Sequence, residues 1–159
     1  MTAGRAARVT VGLVVVVTVP VLLSACVGAA PSLGSYEGKA GATAQDMRSA
    51  VETARTTVAL ARSGRAFRAY LSEVFRYAED DATAIQGAFD SIQPPDGAAD
   101  DLRTRLDDLL SHAVSTLSDL RIAARRGDLG SLLRAASPLA QLSSDLDAFS
   151  TRLPPGGPP

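Results

Sequence analysis

The sequence is poor in the residue types that build most catalytic and metal sites. One cysteine, one histidine and no tryptophan occur among its 159 residues. A single cysteine excludes an intramolecular disulfide, and a single histidine excludes the two Glu-X-X-His units that bind a pair of metal ions inside a helical bundle. No glycine-rich phosphate loop follows a strand pattern, and the serines have at most one histidine as a base. We therefore expect no enzymatic activity, no metal and no cofactor.

Aromatic residues are also scarce, at 4% of the chain, and no segment shows the alternation of apolar and polar residues that is typical of β-strands. Hydrophobic residues nevertheless make up 46% of the chain and charged residues 21%, which is typical of a sequence that folds. The core must then consist mainly of leucine, valine, isoleucine and alanine. These residues pack well between helices, so the composition predicts an all-α fold.

The longest apolar run stands near the N-terminus and is too short to cross a membrane as a helix. Residues 9–23 contain 15 consecutive uncharged and mostly apolar residues, whereas a spanning helix needs about 20. Arg5 and Arg8 precede this run, and no acidic residue comes before it. A short apolar segment behind positive charges is typical of an export signal peptide.

The apolar run ends in the tetrapeptide Leu23-Ser24-Ala25-Cys26. This tetrapeptide resembles the lipobox of bacterial lipoproteins, in which an aliphatic residue and two small residues precede a cysteine. The resemblance implies that a lipid is transferred to the sulfur of Cys26. It also implies that cleavage between Ala25 and Cys26 removes residues 1–25, and that the new amino terminus can then be acylated.

Lipid on Cys26 would anchor the chain to the outer, extracytoplasmic face of the cell membrane. One acyl chain gives only marginal membrane residence. The two acyl chains of a diacylglyceryl group, for example two palmitate chains, hold a protein stably. Two alternatives remain open. One is an uncleaved signal anchor in which Cys26 is an ordinary small apolar residue. The other is secretion after cleavage at an Ala-X-Ala site, for which no well-placed sequence is present.

Removal of the signal peptide would leave a mildly acidic chain. Without Arg5 and Arg8, 14 basic and 17 acidic residues remain, a formal charge of −3. No long run of one sign indicates a basic patch. Such a chain has no electrostatic reason to bind nucleic acid, so we predict no nucleic-acid partner.

Two segments are expected to lie outside the folded domain. Residues 27–42 contain four glycines and a proline without helical or strand periodicity, which predicts that Cys26 and this segment form a flexible tether. A linker of this length spans about 20–24 Å on average. Residues 154–159, Pro-Pro-Gly-Gly-Pro-Pro, are expected to be a disordered tail. The domain would then comprise residues 43–153.

Residues 43–153 carry four helical patterns, which predict an antiparallel up-down-up-down four-helix bundle. Apolar residues recur at alternating steps of three and four, and the connections between the patterns are short. The helices are expected at about residues 43–63, 65–93, 97–126 and 129–153. Asp96 is a good N-cap for the third helix, and Pro138 predicts a kink in the fourth. The core stripes include Phe67 and Val74 in the second helix and Leu109 in the third.

The best candidate for a binding surface is an edge of the second predicted helix. At 100° per residue, Tyr70, Tyr77 and Asp81 lie within about 60° of one another beside the apolar stripe. Phenol rings tolerate contact with both water and apolar groups, so this edge could receive a ligand or an envelope protein partner. The alternative is a hydrogen bond between Tyr77 and Asp81 that closes the edge of the bundle, and we expect this alternative at these three residues.

Two further patterns have simpler interpretations. His112 lies one turn after Asp108, a spacing that could hold a metal, but a lone histidine beside an apolar stripe is more typical of a boundary residue. Arg48, Arg55 and Arg62 recur every seven residues along the first helix. They either form a basic ridge that faces anionic lipid or a partner, or they pair with acids of a neighbouring helix, and we expect the second.

Together these observations predict an envelope lipoprotein whose helical bundle binds or scaffolds a partner outside the cytoplasmic membrane. The alternative function is that of a carrier holding a small apolar ligand between the helices of an alanine-rich core. A cavity well above about 300 Å³ would favour the carrier. A large exposed apolar patch would favour the scaffold.

Overall fold

The computed structural model describes residue 30 and residues 32–153, and this part of the chain is all-helical. Its five helices are α1 (Leu33–Arg62), α2 (Arg68–Asp90), α3 (Gly97–Arg126), α4 (Leu129–Ala135) and α5 (Leu139–Thr151). The predicted all-α class is therefore confirmed. The predicted signal peptide, Cys26 and the tail at 154–159 lie outside the described residues. Within the described part, no helix is both long enough and apolar enough to span a bilayer.

The prediction of a flexible tether up to residue 42 is wrong for its second half. α1 begins at Leu33, ten residues earlier than predicted, and the hydroxyl of Ser32 caps it by accepting a hydrogen bond from the Ser35 N–H at 3.2 Å. Ala30 is already buried, and its N–H donates to the carbonyl of Gln93 at 3.4 Å. Ala30 and the residues of α1 before residue 43 thus belong to the packed part of the described chain.

Burial of Tyr36 explains why this glycine-rich segment is helical. Glycine costs about 1 kcal/mol relative to alanine inside a helix, so Gly34, Gly38 and Gly41 weaken the intrinsic helix propensity. Tyr36 is nevertheless fully buried, and its ring centroid lies 5.7 Å from that of Phe89 in α2, with the two rings tilted by 45°. A buried aromatic side chain removes about 150–250 Å² from water, so tertiary packing outweighs the weak propensity.

The buried side of α2 lies roughly 40° around the helix from the predicted stripe, taking 100° per residue. Phe75 is fully buried, whereas the predicted core residue Val74 is only half-buried and Phe67 is 87% exposed. A similar correction applies in α3, where Leu110 is fully buried and the predicted Leu109 is half-buried. A spacing of three and four residues does not show which of two adjacent apolar residues enters the core. That depends on where the neighbouring helices lie.

The predicted ends of α3 are confirmed by their capping groups. The carboxylate of Asp96 accepts hydrogen bonds from the N–H groups of Ala98 at 3.1 Å and Ala99 at 3.3 Å. At the other end Gly127 adopts a φ of 69°, a left-handed conformation that glycine reaches without strain. Both ends can therefore be read from the sequence, because capping depends on local residues.

The residues of the predicted fourth helix are divided between α4 and α5. α4 ends at Ala135, residues 136–138 form a turn, and Pro138 stands directly before α5. Proline has no backbone N–H to donate, and its ring obstructs the preceding helical turn, which accounts for an interruption at this place. The carboxylate of Asp128 caps α4 by accepting a hydrogen bond from the Ser131 N–H at 3.0 Å.

α1 and α3 are the two central helices of the described domain. They pack against each other, and each also packs against α2, α4 and α5, whereas α2 packs only against α1 and α3. The largest side chains that are less than 2% exposed lie in this core: Tyr36, Met47, Val51, Phe75, Phe89, Leu106, Leu110, Leu117, Leu120, Leu142 and Leu146. The core is thus mainly aliphatic, as the scarcity of aromatic residues predicts.

Candidate functional site

The predicted binding edge lies on the solvent side of α2, farther from the core than the sequence pattern indicates. Tyr70 is 51% exposed and Tyr77 is 61% exposed, and Asp81 is exposed as well. At 100° per residue these three residues lie roughly 90° to 130° around α2 from the middle of its buried side. The structure therefore keeps all three on one side of α2, but that side is open surface rather than the margin of the core.

Arg76 organises the surface around Tyr77. Its guanidinium carbon lies 4.2 Å from the centroid of the Tyr77 ring, and its nitrogens lie 2.7 Å from Glu73 Oε1 and 2.6 Å from Asp80 Oδ2. The hydrogen bond from Arg76 is the main reason that the pKa of Glu73 is lowered. Among the described residues Tyr77 makes no hydrogen bond to Asp81, so the bond proposed to close the bundle edge is not formed. The Tyr77 ring instead packs under a cation held by two carboxylates.

A polar groove of about 310 Å³ runs beside this surface, between α2 and α3. It is lined by Ser72, Arg76, Glu79, Asp80, Arg121 and Arg125. Arg121 of α3 donates to both carboxylate oxygens of Glu79 in α2, and this contact is the main cause that raises the pKa of Arg121. The two-bond geometry ties the helices together at the groove floor. Exposed phenol rings beside a polar groove offer apolar area and hydrogen-bonding groups on one surface.

A second polar cluster, which the sequence patterns do not reveal, lies between α1, α2 and α3. Arg103 of α3 donates hydrogen bonds to the carbonyl oxygens of Asp90 at 3.0 Å and Ile92 at 2.9 Å. It thereby satisfies carbonyls that the C-terminal end of α2 leaves without helical partners. Its Nε also lies 3.5 Å from Asp107 Oδ2. The Tyr36 hydroxyl and Asp107 Oδ1 are enclosed without a hydrogen-bond partner among the described residues.

Burial governs the acidity of this cluster. Desolvation is the largest cause that raises the pKa of the Tyr36 phenol and of the Asp107 carboxyl, and the guanidinium of Arg103 opposes both shifts. Because Tyr36 is fully buried, a substrate has no access to its hydroxyl. We therefore interpret the cluster as a structural junction of three helices. The only sequence signal for it is a lone tyrosine inside a glycine-rich segment.

The remaining candidates from the sequence lie apart from one another. His112 is exposed, and within the described part of the chain no three His, Cys, Asp or Glu side chains come close enough together to hold a metal ion. Arg48 pairs with Asp147 of α5 at 2.7 Å, which is the interhelical pairing that the heptad spacing predicts. The same expectation is wrong for Arg55, which pairs with Glu52 of its own helix at 2.6 Å, and for Arg62, which forms no ion pair with another described residue.

Comparison with known proteins does not assign a function to these surfaces. The chain matches no known family, and no curated protein and no solved structure is significantly similar to it. Its function has to be inferred from the sequence around Cys26 and from the surface of the helical domain.

Proposed function

We propose that this chain is a lipid-anchored envelope protein, attached through Cys26 to the outer face of the cytoplasmic membrane, whose helical domain binds or scaffolds a protein partner. The observation that carries the proposal is the tetrapeptide Leu23-Ser24-Ala25-Cys26 behind an apolar run of signal-peptide length. A lone cysteine has no disulfide partner within the chain, whereas lipid attachment accounts for both its presence and its position.

The start of the packed domain supports anchoring close to the membrane. Ala30 is buried against the carbonyl of Gln93, so four residue steps separate it from Cys26. Four steps span at most about 14 Å even when fully extended. A lipid on Cys26 would therefore hold the helices near the headgroups, rather than at the end of a long linker.

We further propose that the helices form an antiparallel up-down-up-down bundle in which α4 and α5 together occupy the place of a fourth helix bent near Pro138. Three pairs of contacting residues support this arrangement: Gln86 with Ser111, Glu79 with Arg121, and Arg48 with Asp147. In the α2–α3 pair, the earlier residue of one helix meets the later residue of the other, as antiparallel packing requires.

The exposed side of α2 supports the binding role. Tyr70 and Tyr77 are large aromatic residues that remain at the surface, and tyrosine is enriched at protein interfaces because it offers both apolar area and a hydroxyl. The carrier function has less support, because the apolar cavity beside Leu71 and Leu132 has a volume of only about 190 Å³. The larger groove between α1 and the α4–α5 segment measures about 580 Å³, but the charged side chains of Glu52, Arg55 and Arg62 line part of it. Pockets for small ligands usually measure about 300–1,000 Å³.

Lipid attachment can be tested by the intact mass of the chain extracted from membranes. We expect a protein that begins at Cys26 and carries the added mass of a diacylglyceryl group, because the lipobox cysteine is both the acceptor and the cleavage point. Cys26→Ser should remove the lipid and leave the signal peptide uncleaved. Ser24→Ala, which keeps a small residue at that position, is the matched control and should be processed normally. An unmodified Cys26 in the membrane-extracted chain would contradict the proposal.

A further inference from the structure

Charge is divided unevenly between two parts of the described domain. Residues 53–72 and 120–144, which we call the arginine end, contain eight arginines and a single acid, Asp128. The rest of residues 32–153 contains 16 acidic and six basic residues. The eight arginines are Arg55, Arg62, Arg65, Arg68, Arg121, Arg125, Arg126 and Arg134. They come from two segments almost fifty residues apart, so the sequence shows no continuous basic run.

The fold brings these two segments together. Arg68 and Ala66 from the first segment line the same cavity as Gly127 and Leu129 from the second. A Cβ placed on Gly127 would lie only 3.0 Å from Cδ of Arg68, so the turn before α2 lies directly beside the turn before α4. Likewise a groove of about 580 Å³ is lined by Arg55 and Arg62 of α1 and by residues of α4 and α5. The chain turns before α2 and before α4 therefore lie together, and Arg62, Arg65, Arg68 and Arg126, which flank these turns, lie at the same end of the domain.

Most of this positive charge is not neutralised within the domain. Arg62, Arg65, Arg68, Arg125 and Arg126 are exposed, and none forms an ion pair with another described residue. The one acid of the arginine end, Asp128, already accepts hydrogen bonds from the N–H and hydroxyl of Ser131. Five guanidinium groups therefore remain available to an anionic partner.

Large apolar side chains protrude from the same surface. Phe67 is 87% exposed at the N-cap of α2, and Leu129 is 47% exposed in the first turn of α4. Leu129 lines the same cavity as Arg68, and Phe67 is the residue between Ala66 and Arg68 of that lining. An exposed phenylalanine between unpaired arginines stabilises nothing in the isolated domain. The same combination is favourable at a bilayer surface, where cations meet headgroups and apolar side chains enter the acyl boundary.

We propose that the arginine end binds the surface of an anionic phospholipid bilayer, with arginines on the phosphates and Phe67 and Leu129 inserted at the headgroup level. Guanidinium groups match phosphate oxygens with two parallel hydrogen bonds. A soluble polyanion without apolar groups, such as heparin, would need the arginines but would gain nothing from Phe67 and Leu129, which is why we favour the bilayer.

This contact is separate from the lipid on Cys26. α1 has 30 residues, so at 1.5 Å per residue its last residue, Arg62, lies about 45 Å from the start of the helix. The proposal goes beyond the proposed function and does not depend on lipid attachment. If the arginine end binds the bilayer that holds the lipid on Cys26, the helices must lie along the membrane. If it binds a second bilayer that faces the first, the helices can stand perpendicular to the membrane.

The absence of tryptophan from the sequence allows a direct test, because Phe67→Trp introduces a single fluorescent reporter. The full chain carrying this substitution would be reconstituted into vesicles of phosphatidylcholine with brominated acyl chains, with or without phosphatidylglycerol. We expect the emission of the introduced indole to shift to shorter wavelength and to be quenched only when phosphatidylglycerol is present. Quenching by brominated lipid in the host vesicle indicates contact with the same bilayer, and quenching by added vesicles indicates contact with a facing one. Either result supports the proposal.

Charge-reversal variants distinguish an effect of the arginine end from an effect of the net charge of the chain. Arg65→Glu with Arg126→Glu should weaken the phosphatidylglycerol-dependent contact about tenfold or more, since each basic residue near an anionic surface contributes substantially to binding. The matched control, Arg105→Glu with Arg152→Glu, changes the net charge equally but lies in the acidic part of the domain, and it should bind like wild type. Circular dichroism of all variants checks that the helices are intact.

Three outcomes would overturn the proposal. The indole emission of the Phe67→Trp chain could be the same with and without phosphatidylglycerol, or the control pair could weaken contact as much as the Arg65 and Arg126 pair does. The third is that heparin, a soluble polyanion, binds the arginine end while the vesicles leave the indole emission unchanged, which would assign the surface to an acidic macromolecule. The mass of Cys26 is measured separately, so failure of this proposal is distinguishable from failure of lipid attachment.

Discussion

Tyr36 is the single residue on which the position of the α1 N-terminus depends most. Its ring is fully buried against Phe89, while its hydroxyl has no hydrogen-bond partner among the described residues. The ring and the hydroxyl therefore have opposite effects on stability. Burial of the ring stabilises the helical form of residues 33–42, and enclosure of an unpartnered hydroxyl costs about 1–3 kcal/mol.

We expect Tyr36→Phe to leave the domain as stable as wild type or to stabilise it by about 1 kcal/mol, because only the unpartnered hydroxyl is removed. Tyr36→Ala should destabilise it by about 3–5 kcal/mol, the usual cost of deleting a buried aromatic ring. Urea unfolding followed by circular dichroism measures both. If Tyr36→Ala had no effect on stability, residues 33–42 would be a tether after all.

The exposed tyrosines behave differently from Tyr36 because they do not contribute to the core. Arg76 contacts Tyr77 and pairs with Glu73 and Asp80, but exposed ion pairs contribute little to stability. A side chain that is retained at the surface without a stabilising role is a candidate for partner recognition. Stability and binding can therefore be separated on this one helix.

At the scale of the element, the two sides of α2 should respond differently to substitution. Phe75→Ala removes a fully buried ring and should cost about 3–5 kcal/mol. Tyr70→Ser with Tyr77→Ser should change the unfolding free energy by less than about 1 kcal/mol, since surface substitutions usually have small effects. Melting temperatures by circular dichroism compare the two variants.

The same surface can be probed for its partner in membranes. A photo-crosslinking residue at position 77 should yield a defined protein adduct, whereas the same residue at Thr104, an exposed position on α3, should not. In the Tyr70→Ser, Tyr77→Ser variant position 77 is no longer free, so the photo-crosslinking residue is placed at position 81 instead. A crosslinker at position 81 should yield the adduct in an otherwise wild-type chain and should not yield it in the double variant. If the double variant unfolded instead, the rings would belong to the core, and the proposed binding surface would be wrong.

At the scale of the whole molecule, the response to acid combines groups whose pKa values are shifted in opposite directions. The hydrogen bond from the Ser143 hydroxyl is the main cause that lowers the pKa of Glu52, and the hydrogen bonds from Ser131 lower that of Asp128. Burial raises the pKa of Asp107. A carboxyl with a lowered pKa stabilises the fold at neutral pH and loses this effect as it is protonated. A carboxyl with a raised pKa destabilises the fold at neutral pH, and its protonation removes that cost.

Asp107 has a pKa raised above its ordinary value of 3.8, so we expect its protonation on acidification to relieve the cost of burying the carboxylate and to stabilise the folded state. The contributions of Glu52 and Asp128 are present above their ordinary values of 4.5 and 3.8 and are lost as the pH falls through their lowered pKa values. Asp107→Asn removes the contribution of Asp107 and leaves those of Glu52 and Asp128 unchanged. The variant should match or exceed the stability of wild type at pH 7, and its advantage should shrink as the pH falls.

Urea titrations at several pH values measure this difference directly. Glu52→Gln is the matched control, because it removes a carboxyl whose pKa shift has the opposite sign, so its deficit relative to wild type should shrink on acidification. If Asp107→Asn were instead less stable than wild type at pH 7, and if this deficit shrank on acidification, the ion pair with Arg103 would outweigh desolvation.

Local residues determined several features of this protein that could be predicted from the sequence. The all-α class follows from apolar spacing and the lack of strand alternation, and the ends of α3 follow from Asp96 and Gly127, whose capping geometry involves only near neighbours. The interruption before α5 follows from Pro138 for the same reason. The outward placement of Tyr70 and Tyr77 on a shared side follows in part, because residues seven apart on a helix face the same way.

Tertiary structure decided the features that depend on distant partners. Tyr36 is helical and buried because Phe89 lies against it, and no local pattern in a glycine-rich segment indicates that contact. Phe75 rather than Val74 enters the core because α1 and α3 define the direction of the core around α2. The arginine end exists only in the fold, because its charges come from two segments that are separated in sequence and meet where Arg68 contacts the turn at Gly127. Periodicity specifies which residues share a side of one helix, and only packing between helices specifies what that side faces.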